Sequence, residues 1–189
     1  MDLIILRPGN PDIIGSESGS PSSTHINDGT WRDPIFKFDK CLELVSVHQG
    51  MKQQITTDVS NKARTSGRPI ITEFTCVKYV DQTSVKLYDY CLRADTLGSG
   101  PDNPTMIYIA RSSGDRLGNI LTFALRDAII SEIQFQSHPN DMPTEQFKIS
   151  FTEILWTYTV QDVDMSTVGS IQKGWSIMHN RPIGTFSPK

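Results

Sequence analysis

Acid–base chemistry is the first possibility the residues raise. Glu43, Glu73, Glu132, Glu145 and Glu153 fall in segments with strand character, and carboxylates converging inside a barrel could serve as general acid and base. Outward-facing or interface positions are the simpler account of the same five side chains. His25, His48, His138 and His179 stand singly, without the i, i+4 or His-x-His spacing of a metal set. The nearest approach to a nucleophile elbow is Gly15-Ser16-Glu17-Ser18-Gly19, which has Glu at its centre and reads as linker. Neither a phosphate-cradling Gly-rich loop nor a dinucleotide fingerprint is present. Trp156 and Tyr158 alternate on one strand and Trp175 lies on another; the neighbours of Trp156 are Thr, Leu and Tyr and not the Lys and Arg of a base-stacking platform, so core or interface packing is the reading. Cys41, Cys76 and Cys91, odd in number and widely spaced, read as buried free thiols. These residues predict no enzyme, no cofactor and no metal.

The elements that would position these side chains are mostly strands. Leu3–Arg7, Ile35–Phe38, Cys41–His48, Ile70–Val80, Thr105–Arg111, Ile120–Leu125, Ile129–Gln136, Glu145–Val160 and Lys173–Asn180 carry alternating or β-branched runs bounded by turn formers. One helix is expected after Asp81 or Thr83, either of which can cap it. Its apolar face is read from Val85, Tyr88, Cys91 and Leu92, with Leu87 beside them. Leu87, Cys91 and Leu92 are the expected helix core. Two long polar stretches interrupt the pattern, about 8–33 and 50–68. The second reads as an extended excursion. The reading is a mainly-β domain over 1–180, an antiparallel two-sheet β-barrel of about eight strands with one flanking helix. A tail follows at 181–189.

Bulk properties narrow the classes. A chain of 189 residues, 37% of them hydrophobic, suits one core under much polar surface. A net charge of −3 is not the basic footprint of a nucleic-acid binder. No apolar run nears the ~20 residues of a membrane-spanning helix. The apolar start, Met1–Leu6, is too short for a signal peptide and has no basic flank. Folding in the cytoplasm is therefore expected, with any export by a route that needs no cleaved signal.

The order of several short motifs is similar to the Hcp (haemolysin co-regulated protein) family. Leu42-Glu43-Leu44-Val45 followed by Gly50-Met51 resembles its strand that runs into a Gly and a long loop. Ile14-Gly15-Ser16-Glu17-Ser18 is like its Gly-Glu-Ser turn with one residue inserted. Phe74 to Ser84 resembles its strand-to-helix junction, with Lys78, Asp81 and Ser84 at the recurring positions. Thr144-Glu145 running to Phe151 resembles its Thr-Glu strand. Gly174-Trp175 and Asn180 resemble its closing strand. The likeness runs from about Leu3 to about Asn180. The loop at 18–33 and the tail are longer than usual for the family.

The resemblance implies a tube subunit of type VI secretion. It implies homohexameric rings that stack inside a sheath, leave the cell with a spike, and carry small effectors in the lumen. It also implies that the 50–68 loop touches the next ring. Met51, Lys52, Gln53, Asp58, Asn61, Lys62 and Arg64 are then the stacking residues, a polar set suited to a wet contact. Neither nucleic acid nor membrane insertion is implied. A contractile-phage tail-tube protein and a monomeric ligand-binding barrel are the alternatives. A toxin is disfavoured, because too few residues follow Asn180 for a further domain.

Overall fold

The computed structural model describes residues 2–14, 41–57, 64–113, 116–161 and 167–188. The expected Ile35–Phe38 strand, the turn after Ile14, most of the first long loop, and Asp58, Asn61 and Lys62 lie outside them. Besides a 3-10 turn at Pro11–Ile13, the elements among the described residues are, in chain order, β1 (Asp2–Arg7), β2 (Leu42–Leu44), β3 (Ser46–His48), β4 (Met51–Lys52), β5 (Ile55–Thr57), β6 (Arg64–Ser66), β7 (Ile70–Ile71), β8 (Phe74–Tyr79), α1 (Ser84–Arg93), β9 (Thr96–Gly98), β10 (Thr105–Ser113), β11 (Arg116–Arg126), β12 (Ala128–Gln136), β13 (Thr144–Ser150), β14 (Glu153–Gln161), β15 (Thr167–Ser176) and β16 (Arg181–Ile183).

Two antiparallel sheets enclose the core. One has seven strands in the order β16-β15-β14-β11-β10-β1-β2, the other five in the order β3-β8-β13-β12-β9. Period-2 patterning sets the inward faces. Phe74, Cys76 and Lys78 of β8 point in, and so do Glu145, Phe147 and Ile149 of β13. Register places these residues directly opposite one another: Glu145 faces Lys78, Phe147 faces Cys76, and Ile149 faces Phe74. Leu6, Leu42, Ile107, Leu125, Ile130 and Ile154 fill the space between the sheets. Phe74 meets Phe123 edge-on at 5.0 Å between ring centres and Phe151 at 5.7 Å.

The chain passes between the sheets at four places: once through the longer connection from Gly98 of β9 to Thr105 of β10, and three times at tight corners. β2 and β3 are parted only by Val45, whose N–H donates to the Val77 carbonyl at 2.7 Å. β11 continues into β12 through Asp127 alone, in the left-handed region at φ 49. The stretch Glu145–Val160, expected as one strand, breaks at Phe151-Thr152, so that β13 lies in one sheet and β14 in the other. The break is held by hydrogen bonds: the Thr152 N–H donates to the Arg126 carbonyl at 3.1 Å, and the Ile177 N–H to the Thr152 carbonyl at 2.9 Å. These splits, with three short strands in the second long stretch and a fourth at Ile70–Ile71, raise the strand count above the expected eight.

That second stretch, expected as an extended excursion, is a β-hairpin arm. Met51 and Lys52 pair with Ile71 and Ile70, and Ile55–Thr57 pair with Arg64–Ser66. The segment after Asn180 is likewise not loose. Arg181–Ile183 form an edge strand on Gly174–Ser176.

The helix face needs correction. Its buried stripe is Ser84, Leu87, Tyr88 and Cys91, fully buried at the first two and half-buried at the others. Leu92 is 88% exposed and is not core in the single chain, and Val85 faces outward with it. The spacing 84, 87, 88, 91 is helical. Choosing the stripe from apolar residues alone displaced it by one position, because its first member is a serine.

Candidate functional site

Four of the motif positions meet beneath α1. The Lys78 ammonium lies 2.9 Å from Oε1 of Glu145 and 3.1 Å from Oδ1 of Asp81. It also donates to the Tyr79 carbonyl at 2.9 Å and to Oγ of Ser84 at 3.3 Å. The Ser84 hydroxyl donates to Glu145 Oε1 at 2.9 Å and accepts the Asp81 N–H at 3.0 Å. Asp81 in turn shapes the turn into the helix by accepting the Thr83 N–H at 2.7 Å. Cross-strand register brings Lys78 to Glu145, and the two-residue turn after Asp81 brings Ser84 over both.

Burial decides what this cluster can do. Lys78 and Glu145 are each 1% exposed, and Ser84 is buried with them. A lysine beside a serine hydroxyl is a pairing used for nucleophilic catalysis. Here the hydroxyl already donates to a carboxylate, and no substrate reaches it. The cluster instead clamps the helix to β8 and β13. Burial pushes the neighbouring Tyr88 phenol up to about 12, and hydrogen bonding to Glu145 and its charge add to the shift.

A second buried carboxylate sits at the corner between the sheets. Glu153 is 1% exposed and accepts from Arg126 at 3.0 Å, from the Ser187 N–H at 2.9 Å and from the Ser187 hydroxyl at 2.6 Å. Arg126 also donates to the Ser187 carbonyl at 2.6 Å. Burial opposes ionisation of Glu153. The hydrogen bonds from Ser187, Arg126 and Ser176 outweigh it and hold the carboxyl down at about 2. Of the five strand glutamates, Glu145 and Glu153 are thus inside, each matched to its own cation. Glu43 is exposed on β2, Glu73 is half-buried, and Glu132 pairs with Lys148 on the outer face.

The remaining motif residues serve packing. A Cβ on Gly174 would lie 2.4 Å from Leu155 Cδ2 and 2.6 Å from the Ile154 carbonyl, so only glycine fits between β14 and β16. Trp175 lies opposite Ile154 and packs on the core. Phe74 and Phe151 are core aromatics, and Thr144 opens β13 opposite Tyr79. Gly50 forms the root of the arm. Its N–H donates to the Thr72 hydroxyl at 2.8 Å, which donates back to the Gly50 carbonyl at 3.0 Å. Met51, Lys52 and Gln53 are exposed along the arm, and Arg64 lies in β6. Cys41 and Cys76 are buried and outside any disulfide, with Cys76 pushed up to about 12 by burial, and Cys91 is half-buried and likewise outside any disulfide. Among the described residues no three metal-ligating side chains cluster. None of their helices is long and apolar enough to cross a membrane. The sequence reading did not pair Arg126 with Glu153 or include Ser187. Arg126 and Ser187 lie 27 and 34 positions from Glu153, and no local pattern links them.

Fold and clamp together define a mainly-β protein of two antiparallel sheets whose helix α1 is fixed by a buried ionic junction. The model of the family described as type VI secretion system effector, Hcp, matches residues 36–158, and the chain belongs to that family. Comparison with curated proteins finds no match. Among solved structures, a type six secretion system protein superposes with a TM-score of 0.75 at 17% identity, over 97% of this chain and 100% of the other. Hcp1 from Salmonella typhimurium superposes with a TM-score of 0.61 at 17% identity, over 96% and 99%. A type VI secretion system effector from Yersinia pestis gives 0.58 at 16% identity, over 92% and 98%. At such identities the superpositions establish the shared fold.

Proposed function

We propose that the chain is a non-enzymatic subunit of the type VI secretion inner tube. Six copies close into a ring, rings stack, and the column is expelled with spike and sheath proteins as partners and small effectors in its lumen. Family membership supports the system, and one surface feature supports self-association. β16 covers only Gly174–Ser176 of β15, which leaves the outer edge of Thr167–Lys173 without a partner strand among the described residues. Tyr158, Val160, Val168 and Ile171 are exposed on this end of the β14–β15 pair, Ile171 by 61%. An apolar ribbon with an open edge is a place for a neighbouring copy, and a closed ring removes such edges.

The arm is assigned to ring-on-ring contact through Met51, Lys52, Gln53 and Arg64, and the role extends to Asp58, Asn61 and Lys62 of the same stretch of sequence, which lie outside the described residues. The test is mass by light scattering with negative-stain imaging. Six chains of 21.2 kDa give about 127 kDa as a closed cyclic assembly. Monomer alone at micromolar concentration rejects the ring and favours a ligand-binding barrel. Rings that persist but no longer stack when residues 53–67 are replaced by a short turn support the arm assignment.

A further inference from the structure

The arm has a joint. Its root pairing ends at Lys52 opposite Ile70, and its outer pairing begins at Ile55 opposite Ser66. Between them Gln53 and Gln54 face three residues, Gly67, Arg68 and Pro69. Two residues against three make a bulge, which bends a ribbon and re-aims the extra side chain. The joint is stitched from inside: the Gly67 N–H donates to the Gln54 carbonyl at 3.1 Å, and the Gln53 amide to the Gly67 carbonyl at 2.5 Å.

The re-aimed side chain is Arg68. Its guanidinium donates to the Ile177 carbonyl, 109 residues on, just after β15 in the seven-stranded sheet. That anchor is firm, because Ile177 is bonded to Thr152 and Thr152 to Arg126 at the corner of the two sheets. On the side of the five-stranded sheet, the root opens on a cavity of about 420 Å³ lined by His48, Gln49, Thr72, Glu73, Thr75 and Lys148. The arm therefore has a tether on one side and empty space on the other. Gly50 at its root would meet only ordinary contact if it carried a Cβ, so no packing wedge fixes the angle there.

We infer that Arg68 is a positioning residue: its bond to the Ile177 carbonyl sets the angle of the arm and keeps it from folding over that cavity. The consequence for stacking rests on the tube reading, since a contact element held at one angle before it meets its partner binds more tightly than one that must be ordered on contact. Arg68 is exposed, so it contributes little to folding stability and acts on geometry instead.

The experiment uses the full chain in a Cys91→Ser background, with nitroxides on Ile55→Cys in the arm and Ser131→Cys on β12. Electron–electron distance distributions are measured for Arg68 and for the Arg68→Ala and Arg68→Lys variants, beside melting temperature and sedimentation of stacked rings. Arg68 should give one narrow distribution. Arg68→Ala should at least double its width or move its centre by several Å without a change in melting temperature. Arg68→Lys, which keeps the charge but has a single donor centre, should fall between. Stacking by Arg68→Ala should weaken about tenfold. Identical distributions for Arg68 and Arg68→Ala overturn the inference, and so does a widened distribution with undiminished stacking. If the protein with Arg68 intact never stacks, the tube reading fails, and the distance distributions still decide what holds the arm.

Discussion

Replacing Lys78 by Met tests the buried clamp most directly. The variant keeps the length of the side chain and removes the ammonium that lies against Glu145, Asp81, Ser84 and the Tyr79 carbonyl. Glu145 is then a buried carboxylate with the Ser84 hydroxyl as its close partner, and breaking such a pair costs about 3–5 kcal/mol. At this chain length each kcal/mol lowers the melting temperature by roughly 2–4 °C, so the drop should be about 6–20 °C. Glu145→Gln should cost less, about 1–3 kcal/mol. Lys78 keeps Asp81 and the Tyr79 carbonyl in that variant, and an amide still accepts from Ser84. The double variant should cost less than the sum of the two, by about 1–3 kcal/mol. Urea denaturation of all four proteins gives the cycle, and hydrogen exchange in α1 reports whether the helix loosens first. Strict additivity, or Lys78→Met no worse than Glu145→Gln, would refute the argument that charge pairing holds the helix.

Leu87→Ala should cost about 2–5 kcal/mol in a dissociated subunit, whereas Leu92→Ala should change stability by less than about 0.5 kcal/mol, both read by chemical denaturation. Glu153 titrates at about 2 in the folded chain against an ordinary value of 4.5, so it stabilises the fold fully above pH 4.5 and loses that contribution as pH falls through 2. Melting followed from pH 6 to pH 2 should show that loss, and Glu153→Gln should flatten it. Gly174→Ala forces a methyl against Leu155 and the Ile154 carbonyl and should cost about 1–3 kcal/mol, with a lowered denaturation midpoint as the readout.

The architecture was legible in the sequence wherever one face of a strand is buried, because alternation then marks the element. β8 and β13 are such cases, and their polar members Lys78 and Glu145 stood out as motif positions before their contact was visible. Sheet changes were not legible. A strand that leaves one sheet for the other at Phe151-Thr152 keeps its alternation on both sides of the break, so Glu145–Val160 reads as one run. The corner cluster was hidden for another reason: Arg126, Glu153 and Ser187 are gathered by topology, not by spacing. Leu92 shows the converse error. An apolar residue beside a helical stripe was taken into it, while the serine that belongs there was left out.

The three tight crossings between the sheets have a mechanical meaning. In a sandwich whose sheets touch only through side chains, a shearing load is resisted by oily contacts that slide. Here a load on one sheet passes to the other along covalent backbone at Val45, at Asp127 and at Phe151-Thr152. The last two lie side by side and are bound together by the Thr152–Arg126 and Arg126–Glu153 hydrogen bonds. Sideways force therefore reaches the second sheet as tension in peptide bonds, and the sheets cannot part until the hydrogen-bonded ladders on either side of a crossing have been torn open.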